Sequence, residues 1–373
     1  MPLSPAKGRK VLQKYVAIYA AHLINEGQSI QALELYTMYG APASQQNFNI
    51  YKRILTDIVS MSGLNTTKAY KVWSSLRNMM YSLYLELSQN SDSNDSTRKE
   101  YHTYLLISHY YATRAAVQTD LSLNTMAAKL SVSLLRHTDI VPADKAFYEA
   151  GLLCKSVGWE AMAFVFTNHL LDIAEAIEDG TLDSLDHSDF QATDIPFEIP
   201  LPEHLFLSPG ELEQQKEWVL EVSMNQNVEQ VLPKDERGVY EASLVNYQNG
   251  QASVPCLITG YPVLKNQMPF NQPGIGANKE DWNKLFMASK VSHSPEIQDV
   301  LQFVCQWGQV TSDVSYSLHG GAAAAYVIVV VVAIVGKAGG RVVVVSCGVV
   351  DSSGDGVGHS VDVVVIGGGV WCS

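Results

Sequence analysis

Two histidines, His102 and His109, lie seven residues apart in a stretch that also holds Tyr101, Tyr104, Tyr110 and Tyr111. On a helix that spacing brings both rings near one face, as a metal pair or a proton relay would need. A metal centre wants a third His, Cys, Asp or Glu at matched spacing, and none stands out nearby. Packing at a helix interface is the reading the residues favour. The five cysteines, Cys154, Cys256, Cys305, Cys347 and Cys372, are too scattered for a zinc knuckle or a redox pair. They fit a reducing, intracellular setting. A glycine cluster follows the apolar run Val363, Val364, Val365 and Ile366, as in the first strand and turn of a dinucleotide site. No helix-forming stretch follows it, so that motif is discounted. No cofactor, metal ligand set or catalytic group is expected.

The chain has 373 residues and a net charge of −13, which argues against a nucleic-acid backbone as partner. The acidity is uneven, because no Lys or Arg occurs between Lys155 and Lys216. That interval reads as a solvated linker, with docking of a basic partner as the alternative. Lys7, Arg9 and Lys10 precede an amphipathic helix and not the apolar core of a signal peptide.

The first half carries helical periodicity. Val11, Tyr15, Ile18 and His22 share one face of a helix over 10–25, and Gly27 ends it. Ser29 is expected to cap the next helix, in which small Ala32 admits a close neighbour and Tyr36 fills the gap beside it. Two helices, a tight glycine turn and a small-then-aromatic spacing make the tetratricopeptide pattern, whose period is about 34 residues. Further pairs are expected at 48–61 with 68–87, 99–117 with 125–136, and 144–156 with 159–177. The second turns at Gly63 and the fourth at Gly158. Residues 89–95 read as a polar loop. Such stacks bury a continuous core and present a long surface to partners.

Beyond Gly180, Leu182, Leu185, Phe190, Ile195 and Phe197 alternate with aspartates and then prolines, which predicts an extended segment lying along a groove. Ser208, Pro209 and Glu211 form a capping box for one more helix. Asn249-Gly250 between β-prone runs at 239–247 and 252–258 predicts a hairpin whose two turn residues both need positive φ. A short apolar strand over 254–264 and an Asn/Gln/Pro/Gly-rich loop over 266–277 come next. Two helices follow, the first capped by Asn278 and carrying Trp282, Leu285 and Phe286. The second is capped by Ser294, starts at Pro295 and carries Val300, Phe303, Val304 and Trp307. After Gly308 the chain becomes Val/Gly-rich. Its apolar run is shorter than the roughly 20 residues a membrane helix needs. Its monotony resembles translated non-coding sequence, with a membrane-anchoring tail as the alternative.

The fold class expected is mainly α: a tetratricopeptide-like helical-repeat array followed by a small α+β module. The segments are 1–181 for the repeats, 182–236 for an acidic extended linker with one helix, 237–308 for the hairpin and module, and 309–373 for an aberrant tail that is not native fold.

The helical pairs, followed by Cys256-Leu257-Ile258-Thr259-Gly260-Tyr261-Pro262-Val263-Leu264, then Asn278-Lys279-Glu280-Asp281-Trp282-Asn283-Lys284, then Ser292-His293-Ser294-Pro295, resemble the C-terminal end of the intraflagellar transport protein 172 family. That family supplies the largest subunit of the intraflagellar transport B complex. The resemblance covers residues 10–308 and implies a fragment, since two β-propellers and a longer helical array precede this region in the family. It implies a non-enzymatic adaptor in trains that build cilia and turn around at the ciliary tip. The implied partners are other transport subunits, and the implied location is the cilium (axoneme and basal body) and the cytoplasm. Peripheral membrane contact is implied for the full-length protein only.

The terminal module is also similar to a U-box, the metal-free relative of the RING domain. The matching residues are Cys256, Ile258, Pro262 and Val263, then Trp282 in the central helix, then Pro295 opening the last one. A RING needs about eight Cys or His ligands, and this stretch offers Cys256, His293 and Cys305. Hydrogen bonds and salt bridges must replace the metal. Two departures are Leu257 in place of the usual proline and a shortened first loop. The resemblance implies a surface for ubiquitin or a ubiquitin-conjugating enzyme, with weak ligase activity as the alternative to a pure adaptor. Ile258 would sit at its centre, with Pro262, Trp282 and Pro295 around it. A buried Ile258 beneath Trp282 is the competing expectation, because a small module needs all its apolar residues inside.

Overall fold

A computed structural model describes residues 5–40, 45–61, 66–89, 95–182, 185–224, 228–310, 327–337, 340–350 and 361–363. It separates into two compact units, Met1–Ser312 and Asp313–Ser373. In the first, the array is built from α1 (Pro5–Asn25), α2 (Ser29–Tyr39), α3 (Gln45–Ser60), α4 (Thr66–Gln89), α5 (Asp95–Val117), α6 (Asn124–Leu134), α7 (Ala143–Ser156) and α8 (Glu160–Asp179). They appear where the apolar periodicity placed them, and one core runs through them all. Ala32 is fully buried where α2 meets its neighbours, and Tyr36 beside it meets Tyr51 of α3 edge to face at 5.3 Å.

The pairing differs from expectation at the second repeat. α4 packs chiefly on α5, and α3 packs on α1, α2 and α5. The aromatics explain this. Trp73 of α4 stacks on Tyr111 of α5 at 4.4 Å, and Phe48 of α3 stacks on Tyr101 of α5 at 3.8 Å. These stacked rings tie both α4 and α3 to α5. The expected turn at Gly63 and most of the polar loop at 89–95 lie outside the described residues.

Ser29 is not a cap. Gln28 holds the N-cap position of α2, and the Ser29 hydroxyl donates instead to Asp57 on α3. After α8 the expected extended segment instead turns, through a 3-10 helix at Ser188–Phe190 and the bends that follow it, while its apolar side chains pack on the array. Phe190 is 1% exposed and meets the rings of Phe147 and His169, while Phe206 N–H donates to the buried Asp144 carboxylate at 2.7 Å. α9 (Pro209–Ser223) begins with the expected capping box, in which Ser208 and Glu211 bond reciprocally.

The strands are shorter than their β-prone runs. β1 (Val245–Asn246) pairs with β2 (Gln251–Ala252), and Gly250 alone of the Asn-Gly pair has positive φ, at 70°. The turn is therefore a wider loop closed by Gly250 N–H on Asn246 O. β3 (Val254–Pro255) pairs with β4 (Pro262–Val263), and the polar loop that follows folds into a third antiparallel pair, β5 (Gln267–Pro269) on β6 (Gly276–Asn278). α10 (Lys279–Val291) and α11 (Pro295–Gly308) complete the module. Ser294 caps α11 through Ile297 N–H. Asn278 occupies the N-cap position of α10, yet its side chain donates to the Pro262 carbonyl. The second unit holds an antiparallel sheet of β7 (Val327–Lys337), β8 (Gly340–Val350) and β9 (Val361–Val363). No helix among the described residues is long and apolar enough to cross a membrane.

Candidate protein-interaction site

The loop between β3 and β4 is built by a short ladder and one glycine. Cys256 N–H donates to Tyr261 O and Gly260 N–H to Cys256 O, both at 2.7 Å. The turn needs φ of 76° at Gly260, a conformation that costs an L-residue about 1–2 kcal/mol. Behind the loop, the buried Asp281 of α10 accepts from Thr259 Oγ1 at 2.8 Å. The Cys256 sulfur lies 3.8 Å from the same carboxylate and accepts from Asn278 N–H at 3.3 Å. Burial, then the Asp281 charge, pushes the Cys256 thiol up, so it stays a protonated, inert core group. The array supplies the cation: Lys129 on α6 donates to Asp281 Oδ1 at 2.8 Å. Burial of Lys129 opposes its charge, yet Asp281 prevails and raises its pKa.

The outer rim of the loop faces the array. His109 Nε2 on α5 lies 2.8 Å from the Leu257 carbonyl, so that nitrogen carries the proton and donates. The ring is fully buried, and burial with the nearby Arg77 charge lowers its pKa to about 3, which keeps it neutral. Ser133 Oγ donates to Thr259 O at 2.8 Å. Arg136 donates to Gly260 O at 2.6 Å and to Ala242 O at 3.0 Å. α11 is fixed from the same side. Arg77, fully buried on α4, pairs with Asp299 at 2.8 Å and lies 4.1 Å over the Phe303 ring, while Tyr81 meets both Phe303 and Trp307 edge-on or tilted.

The four residues singled out in the sequence are therefore not one exposed patch. Ile258 is fully buried, Trp282 is 5% exposed and meets the Phe270 ring at 5.7 Å, and Pro295 is exposed at the start of α11. Pro262 is buried in β4 yet lines an open groove of about 740 Å³ with Trp159, Tyr261, Glu241 and Glu280. Burial raises the Glu241 carboxyl pKa there, against a hydrogen bond from Tyr261. Among the described residues no group of three His, Cys, Asp or Glu could hold a metal, and Cys256, His293 and Cys305 form no such set. Sequence reasoning placed His109 at a helix interface but missed its partner. It missed Arg77, Lys129, Ser133 and Arg136 altogether. The available signal was polar residues on otherwise apolar helical faces.

No protein-family model matches the chain. It is 58% identical over 308 residues to the intraflagellar transport protein 172 homolog of Mus musculus. It is 57% identical over 308 residues to that of Homo sapiens and 54% over 310 residues to that of Danio rerio. Each match covers 83% of this chain and 18% of the relative, so the chain spans less than a fifth of their length.

Proposed function

Over the matched 308 residues this chain belongs to the intraflagellar transport protein 172 family, and from that premise we propose that it is a non-enzymatic adaptor segment of intraflagellar transport. In this reading it binds other transport components in the cilium and serves cilium assembly and turnaround at the ciliary tip. The observation that carries the reading is the continuous helical array of α1 to α8, with the terminal module packed on it as part of one core. Such stacks work through extended surfaces. Residues 1–181 are the partner-binding array, 182–236 a strap along it, 237–308 the module, and 309–373 no part of the functional unit. The test is a fluorescent fusion in ciliated mouse cells. Particles moving in both directions along the cilium are expected, and a signal confined to the cell body would overturn the reading.

A second reading is a U-box-like module that engages ubiquitin or a ubiquitin-conjugating enzyme. It is favoured by the loop brace of Cys256, Thr259 and Asp281, hydrogen-bonded where a RING would use metal. Discharge of a ubiquitin-charged conjugating enzyme by the purified chain tests it. No discharge across a panel of such enzymes would leave the adaptor reading alone.

A further inference from the structure

We propose that the helical array is a latch on the terminal module, holding the Ile258 loop closed against any partner until the module lifts from α5 and α6. This rests on the reading that the loop is a surface for a ubiquitin-conjugating enzyme.

Three of the four carbonyls from Leu257 to Gly260 are taken by the array: Leu257 by His109, Thr259 by Ser133, and Gly260 by Arg136. Ile258 lies within that run and is fully buried. At Gly260 the approach is close enough that a Cβ built there would stand 2.6 Å from Ser133 Cβ. No partner side chain fits between loop and array at that separation.

The bonds that close the interface are polar, and several come from array cations: Arg136 to Gly260, Lys129 to Asp281, and Arg77 to Asp299. Asp299 has a half-exposed side chain, and Arg136 and Lys129 keep slight exposure. Polar groups such as these can exchange their partners for water when the module lifts, while the ring contacts of Phe303 and Trp307 with Tyr81 and His109 keep the lifted state rare. The module's own ladder does not cross the interface. Cys256 to Tyr261, Gly260 to Cys256, and Thr259 to Asp281 all lie within 256–281. Lifting therefore exposes the loop without unmaking it. A partner that binds only the lifted state has its affinity reduced by the fraction lifted.

The test uses the whole chain and two array substitutions that leave the loop sequence intact. Arg136→Gln shortens the donor that spans Gly260 and Ala242, and Ser133→Leu wedges α6 against Gly260. Two readouts are taken: amide hydrogen exchange over 256–261, and discharge of ubiquitin-charged conjugating enzymes. A lost charge-assisted bond is worth about a tenfold change in opening. Exchange over 256–261 should rise about tenfold in either variant with exchange in α2 and α3 unchanged, and discharge should rise by a similar factor. Unchanged loop exchange in both variants overturns the latch, as does a parent that discharges as fast as they do. Faster loop exchange with no discharge upholds the lifting step and overturns the conjugating-enzyme reading on which the proposal rests. Should one variant fail to fold, the other decides, because they act through different atoms.

Discussion

The contact between Lys129 and Asp281 ties the array to the module through one buried charge, and its worth can be measured. The Asp281 side chain is 2% exposed and that of Lys129 is 17% exposed, with 2.8 Å between them. Removing one partner of a buried pair costs about 3–5 kcal/mol, because the other charge is left uncompensated. Lys129→Met belongs at the lower end, about 3 kcal/mol, since Asp281 keeps the Thr259 hydroxyl. Asp281→Asn should cost about 2 kcal/mol, because the amide oxygen still accepts from Thr259 and Lys129 can turn toward water. With both changes no charge remains to strand, so the double variant should cost no more than Lys129→Met alone, giving a coupling of about 2 kcal/mol. The assay is urea unfolding of the parent, both single variants and the double variant. A loss of 3 kcal/mol moves the midpoint by about 1 M when the slope is near 3 kcal/mol per M. Single costs that simply add in the double variant would refute the reasoning, because they would show that the two charges do not depend on each other.

His109, whose folded pKa is about 3, takes its proton in the unfolded chain first, so its contribution to stability is present above pH 6.5 and lost as pH falls toward 3. Between pH 7.5 and 5 that loss is about 2 kcal/mol. It should vanish in His109→Gln, which keeps a donor for Leu257 O; equal pH slopes for parent and variant would contradict it. Asp172, raised to about 6 by burial and then by Asp186, works in the opposite sense, which is why the difference between the two proteins is the informative quantity. Gly260→Ala should cost about 2–4 kcal/mol, from the left-handed φ and the clash with Ser133 together, and a change within 0.5 kcal/mol in urea unfolding would show that the loop sits farther from α6. A chelator should leave the melting midpoint of the module in place, and a fall of many degrees accompanied by released zinc would end the metal-free reading.

Local pattern made the helices legible. Each of α1 to α8 has an apolar face at helical spacing, and the Ser208 box and the Ser294 cap form as their residue types required. The exchange of partners between α3, α4 and α5 was not legible, because Trp73 and Tyr111 find each other across 38 residues of chain. The same holds for the candidate site. Its loop, helices and brace follow from the residues between Val254 and Trp307. What covers it comes from His109, 148 positions away from Leu257, and from Ser133, 126 positions away from Thr259. Periodicity reports that a face is apolar; it carries no information on which distant backbone will meet the one polar group within it. Asn278 and Ser29 show the limit of capping rules, since each side chain donates to a tertiary acceptor instead of accepting from the N–H groups of the helix end beside it.

The most direct measurement replaces the matching segment of the Mus musculus relative with residues 5–310 of this chain, in cells lacking the native protein, and records particle movement along the cilium. Cilia of normal length with particles moving both ways are the expected result. Stunted cilia or absent movement, with the hybrid protein folded and present at normal levels, would contradict the adaptor function.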